Sequence, residues 1–202
     1  MDNIKDQIDT ILLELEQNPE DAGSWNDLGI GYFLLGKYQD SIDALKKAIR
    51  LNTDNETYHF NLANSFDSSD QLLHAIDHYL HAINIRPDHI PSLNNLADLY
   101  EVTGEVEKAH ELFTYLTKIN PDDPLSFFNL GNFMLRQNQH ITAVRNYEKA
   151  LEKDSGFVDA YHNIAWVLLK AGATEKALEF TEAGLLLELE HEDLKNLLHL
   201  VK

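Results

Sequence analysis

The chain has 202 residues, 44% of them hydrophobic, and its 34 acidic against 16 basic side chains give a formal net charge of −18. That hydrophobic share suffices for a packed core, while the charge argues against a general nucleic-acid binder, which needs clustered Lys and Arg to release counterions. With no cysteine there is no disulfide, no thiolate metal site and no thiol nucleophile.

The first predicted element is an amphipathic helix carrying Ile4, Ile8, Ile11, Leu12 and Leu15 and broken near Pro19. The opening residues, Met1-Asp2-Asn3-Ile4-Lys5-Asp6, lack the basic and then apolar run of a signal peptide. No apolar stretch is long enough to span a bilayer, so a cytoplasmic protein without membrane insertion is expected.

Beyond Pro19 the sequence repeats every 34 residues. Trp25, His59, Leu93, Phe127 and Tyr161 form one column, and Leu28, Leu62, Leu96, Leu130 and Ile164 the next. A small column follows (Gly29, Ala63, Ala97, Gly131, Ala165), and then Tyr32, Phe66, Tyr100, Met134 and Leu168. Within a unit these lie at i, i+3, i+4 and i+7, one apolar stripe of a helix.

A second helix in each unit has a small column, Ser41, Ala75, Ala109, Ala143 and Ala177, and a bulkier one, Leu45, Tyr79, Phe113, Tyr147 and Thr181. Small columns facing each other let two antiparallel helices approach closely. Between the helices stand Gly36, Asp70, Gly104, Asn138 and Gly172, residues that tolerate a left-handed backbone. Leu194, Leu197, Leu198 and Val201 make a last amphipathic helix.

The motif Trp25-x-x-Leu28-Gly29-x-x-Tyr32 and its four in-phase copies resemble the tetratricopeptide repeat family. The resemblance implies an all-α fold, a right-handed superhelix of five repeats at 22–55, 56–89, 90–123, 124–157 and 158–191. Helices at 1–21 and 192–202 would cap the apolar ends, all in one domain. It also implies that the first helix of each unit lines a concave groove.

On that helix Asn61, Asn95, Asn129 and Asn163 recur at the same interval, with Asp27 in the first unit. The row is similar to the asparagine ladder in the repeat superhelix of O-linked N-acetylglucosamine transferases, which holds the backbone of an extended peptide. An amide can pair with the N–H and C=O of a peptide unit without reading its side chain. The same row could instead bond neighbouring helices together, and both readings stand at this point. Asn64, Asn132 and the carboxylates Asp67, Asp98 and Glu101 lie beside it, Arg136 and Lys170 further on. Phe60 and Phe128 offer apolar surface, and Asp98 and Glu101 would select a basic side chain. A clamp for chaperone tails is not expected, since Asn26, Thr57, Pro91 and Asn95 occupy its columns without the basic residues it needs.

His74, His78 and His81 fall at i, i+4 and i+7 on one helix, a spacing that could put two imidazoles on a metal ion. They flank packing columns, so a polar outer face is the simpler reading, and neither metal nor cofactor is expected. Gly29, Gly31 and Gly36 follow no strand and make no phosphate loop. No catalytic residue stands out. The expected function is a non-catalytic scaffold binding an extended segment of a protein partner, a basic one where Asp98 and Glu101 select it, through Asn61, Asn95, Asn129 and Asn163. The alternative is a self-assembling module docking through its ends or convex face. The oligomeric state stays open, with a monomer the first expectation.

Overall fold

The computed structural model describes residues 2–201. Among these are twelve α-helices and no strand. After α1 (Asp2–Gln17), the first helices of the repeats are α2 (Ala22–Leu34), α4 (Glu56–Ser68), α6 (Ile90–Val102), α8 (Pro124–Arg136) and α10 (Val158–Lys170). Their partners are α3 (Tyr38–Leu51), α5 (Leu72–Ile85), α7 (Val106–Ile119), α9 (His140–Lys153) and α11 (Thr174–Leu187), and α12 (Glu192–Val201) follows. Both sets start at intervals of 34 residues without a slip.

Local chemistry sets these ends. Asp21, Asn55 and Asp123 accept hydrogen bonds from Gly23, Thr57 and Leu125 amides at 3.0–3.1 Å, satisfying N–H groups that lack an intrahelical partner. Pro91 and Pro124 occupy the first turns of α6 and α8, where no amide is needed. Each first helix then closes at the expected turn residue in the left-handed region: Gly36 (φ 72°), Asp70 (60°), Gly104 (85°), Asn138 (59°) and Gly172 (77°). The next amide folds back on a carbonyl five residues upstream, as Lys37 does on Tyr32 at 2.9 Å and Gln71 on Phe66 at 2.8 Å.

The chain divides into two compact units, Met1–Leu112 and Phe113–Lys202, the division falling inside α7. In the first, Ile8 and Leu15 of α1 pack with Leu28 and Ala44. Its main core joins Ile42, Leu45, Leu62, Phe66, Tyr79, Leu96 and Leu99. The small column keeps the helices close: a Cβ on Gly29 would lie 2.5 Å from Leu45 Cγ. Ser41, fully buried, donates to the Gly29 carbonyl at 2.7 Å and pairs with Ser65 Oγ at 2.8 Å.

In the second unit Phe113 and Phe133 meet at 5.3 Å between ring centroids. A Cβ on Gly131 would lie 2.6 Å from Tyr147 Cε1, so glycine sets that helix spacing. Leu194 and Leu197 of α12 are buried with Ala165. Burying each such leucine contributes about 1.5–3 kcal/mol.

Candidate functional site

Asn61, Asn64 and Asn95 in the first unit, and Asn132 and Asn163 in the second, stand at joints between first helices, and each is half-buried. At the α4–α6 joint, Asn95 Nδ2 donates to Asn64 Oδ1 and to the Tyr79 hydroxyl, both at 3.0 Å. The Tyr79 hydroxyl in turn donates to Asn64 Oδ1 at 2.6 Å. Burial pushes this phenol well above its ordinary pKa, so it remains a neutral donor. The α8–α10 joint of the second unit repeats the arrangement: Asn163 Nδ2 and the Tyr147 hydroxyl donate to Asn132 Oδ1 at 3.0 and 2.8 Å.

Two consequences follow for the row. These amides bond helix to helix, as one of the two sequence readings anticipates. The same bonds also orient what is left over. Asn64 and Asn132 accept through Oδ1 and, among the described residues, keep their NH₂ groups unused, while Asn95 keeps its Oδ1. In the second unit the Asn163 oxygen is paired with His162 Nδ1 at 3.0 Å. Asn129 takes part in an interaction of its own, as do Asp98 and Glu101.

The α2–α4 joint is built differently. Ile30 and Leu45 replace the asparagine and tyrosine of the triad, so Asn61 Nδ2 turns instead to Asn26 Oδ1 at 2.8 Å. This leaves its Oδ1 and its second amide hydrogen without a bond among the described residues. The joint holds a hollow of about 220 Å³ lined by Ile30, Phe33, Leu34, Leu45, Asn61 and Asn64.

The triads use residues that the sequence reading treated as space-filling, Tyr79 and Tyr147. A signal for them exists: each tyrosine follows an asparagine, Asn64 or Asn132, by fifteen residues, where Ile30 is followed by Leu45. Of the apolar candidates, Phe60 packs against Tyr79 and His89 at 6.1 and 5.2 Å. Phe128 packs against Tyr147 and Phe157 at 5.5 and 4.8 Å, and both rings are half-buried within their own joints. Asp98 is exposed and Asp67 half-buried. Burial, and then nearby Asp70, raise the Asp67 carboxyl above its ordinary pKa.

The histidines of α5 do not simply form a polar outer face. His74 and His81 are exposed, but His78 is half-buried with its Nδ1 3.0 Å from Nδ1 of buried His59 on α4. His59 Nε2 lies 3.3 Å from the Thr53 carbonyl, which places the proton on Nε2 and leaves Nδ1 to accept from His78. Burial depresses both imidazoles, His78 to about 4. His74 and His78 both stack on Phe66, at 5.0 and 5.6 Å. Among the described residues no three His, Asp or Glu side chains are placed to hold a metal ion, and no helix is long and apolar enough to cross a membrane.

Family models described as TPR repeat match residues 31–67. Models described as tetratricopeptide repeat match 78–111, 112–145 and 134–199. A search of curated proteins finds no significant match. Among solved structures, YrrB, a TPR protein with an unusual peptide-binding site, is 17% identical; 92% of this chain and 96% of that one are covered, at a TM-score of 0.67. MamA is 25% identical over 75% of this chain and 89% of that one, with a TM-score of 0.69. The C-terminal part of a TPR repeat-containing protein from Cytophaga hutchinsonii is 16% identical over 92% and 74% of the two chains, with a TM-score of 0.77. The likenesses to YrrB and to the Cytophaga protein are ones of fold. This fold is that of a protein-interaction scaffold. Matched along most of its length by models of one repeat and built of helix pairs at that repeat's period, the chain belongs to the tetratricopeptide repeat family.

Proposed function

We propose that this chain is a non-catalytic scaffold that holds an extended segment of a partner protein along the first helices of its repeats. The observation that carries the reading is the orientation of the joint amides. With Asn64 Oδ1 accepting and Asn95 Nδ2 donating inside the joint, both amides are held in place, with the NH₂ of Asn64 as donor and the Oδ1 of Asn95 as acceptor for a ligand. An extended backbone alternates N–H and C=O along its length and pairs with such a set without regard to sequence. Asn61 adds an amide with one hydrogen and its oxygen open. In the second unit Asn132 supplies the donor, with Asn129 and Asn163 beside it.

Selectivity on this reading comes from charge. Asp67, Asp98 and Glu101 lie on α4 and α6 in a chain of net charge −18, so a segment bearing Lys or Arg is the favoured ligand. YrrB, with its peptide-binding site on a similar fold, is in keeping with this.

The test is an array of synthetic dodecapeptides probed with the labelled protein. Wild type should retain a set of basic peptides, and the double variant Asn61→Ala, Asn64→Ala should lose most of them. Capture unchanged in that variant would make the row purely a joint between helices.

A second reading, self-assembly, is favoured by exposed leucines at the C-terminal end of the second unit. Leu186, Leu187, Leu189 and Leu200 are 83%, 51%, 71% and 70% exposed. Light scattering over a concentration series decides it: a constant monomer mass rules self-assembly out.

A further inference from the structure

The α2–α4 joint differs from the α4–α6 joint in one direction at four positions. Ile30, Phe33, Leu34 and Leu45 on the first repeat occupy the columns that hold Asn64, Asp67, Ser68 and Tyr79 on the second. The first joint is therefore an apolar hollow, and the next is a hydrogen-bonded, acidic one. Leu34 is 60% exposed and Ile30 half-buried, and the hollow between them and α4 measures about 220 Å³. A water in liquid takes about 30 Å³, so the space is several waters large, yet the wall made by Ile30, Phe33, Leu34 and Leu45 offers them no hydrogen bonds, and polar groups line it only on the α4 side, at Asn61, Asn64 and Ser65. On its other side the same ridge of Ile30 and Leu34 borders a groove of about 390 Å³ against Ile4, Ile8 and Ile11 of α1. Asn61, with one hydrogen and its oxygen open, lines the hollow.

We propose that this joint is a side-chain pocket that takes one large aliphatic residue of an extended partner segment, and that Asp67 takes a Lys or Arg about three residues away on that segment. The inference rests on the reading of the first helices as the seat of an extended chain and adds which side chains that chain must carry. The occupant follows from apolar lining and charge together. A poorly hydrated apolar hollow gains by exchanging water for an aliphatic group. The acidic position beside it, in a strongly acidic protein, repels an anionic segment and attracts a cationic one. The spacing follows from the repeat: neighbouring helices pack at about 8–10 Å, and an extended chain advances about 3.3 Å per residue. Asn61 lies at the rim, placed to pair with the peptide unit beside the seated side chain.

The probe is a set of capped nonapeptide pools in a Ser/Thr/Ala background, with Leu, Ser, Lys or Glu fixed at two positions three apart, read by fluorescence anisotropy. Leu-x-x-Lys or Lys-x-x-Leu pools should bind about tenfold or more tighter than the Ser/Lys and Leu/Glu pools. Leu34→Glu should abolish the preference for Leu while keeping that for Lys. Asp67→Asn should do the reverse. Leu34→Ser serves if the glutamate variant melts early. Pools that bind without regard to Leu, or a Leu preference untouched by both Leu34 variants, would overturn the pocket and leave main-chain capture standing. A preference for Glu would overturn the charge assignment. No binding by any pool would remove both this inference and the peptide-scaffold reading.

Discussion

Asn95 Nδ2 donates inside its own joint to two acceptors, Asn64 Oδ1 and the Tyr79 hydroxyl, each at 3.0 Å. Its amide is thereby held by two partners at once, and its oxygen has no bond among the described residues. Asn61, one repeat earlier, donates to a single acceptor, Asn26 Oδ1. Residues in the same column of the repeat therefore have different chemistry to offer. Asn95→Ala should destabilise the fold by about 1–3 kcal/mol, because the Tyr79 hydroxyl and Asn64 lose a partner in a half-buried site. Asn61→Ala should shift stability by well under that, and a comparison of urea midpoints separates the two.

Tyr79→Phe removes the group at the centre of the triad. Tyr79 is fully buried and its hydroxyl both donates and accepts, so the loss should again be about 1–3 kcal/mol by urea denaturation. Tyr147→Phe should behave alike, since Tyr147 is also fully buried and its phenol, pushed up to about 12, donates to Asn132. A phenylalanine tolerated at both positions without change would show that packing alone holds these joints.

The His59–His78 pair predicts a pH dependence with a definite sign. Both imidazoles titrate below the ordinary 6.5 in the folded chain, His78 near 4. Above pH 6.5 neither state is protonated and the pair is at no disadvantage. Between 6.5 and about 4 the unfolded chain takes up protons that the folded chain refuses, so stability falls with pH and levels off below. His81 and Asp77 face the same cluster, and Lys46 lies near it. His78→Gln should flatten the loss between pH 7 and 5 relative to wild type. Parallel pH profiles for the two proteins would contradict it.

Asp70 and Asn138 hold left-handed turns that three other repeats give to glycine. Asn138→Gly should stabilise or leave unchanged the melting temperature, with a gain of at most about 1 kcal/mol, because relief of backbone strain is offset by the entropy of a freer unfolded chain. Asn138→Val should lower it clearly, since a β-branched side chain fits that backbone poorly.

Gly131→Ala should be destabilising by about 1–3 kcal/mol, as a methyl there meets the buried ring of Tyr147. A thermal melt of this variant tests whether α8 and α9 can move apart without loss.

The architecture was open to reading in the sequence because its determinants are local. The turn residues from Gly36 to Gly172, the small columns and the start of every repeat helix are each set by residues within one period. The site was less open. That Asn95 and Tyr79 share an oxygen of Asn64 depends on the distance between helices of different repeats, which the column alone does not give. His59 sits in a column of aromatic and large residues and reads as packing. Its contact with His78 appears only once α4 and α5 are laid together. Phe60 and Phe128 read as free apolar surface because nothing in the row announces His89 or Phe157 as their covers.

The turns also bear on how the chain comes to be made. Each helix pair closes through a left-handed residue and a backbone bond spanning five residues, and within a unit it packs on its neighbour in sequence, as α3 does on α4, α5 on α6 and α9 on α10. Among the described residues no strand pairing has to be awaited. Contacts of such short sequence separation form quickly, and the earliest pairs can settle while later ones are still leaving the ribosome.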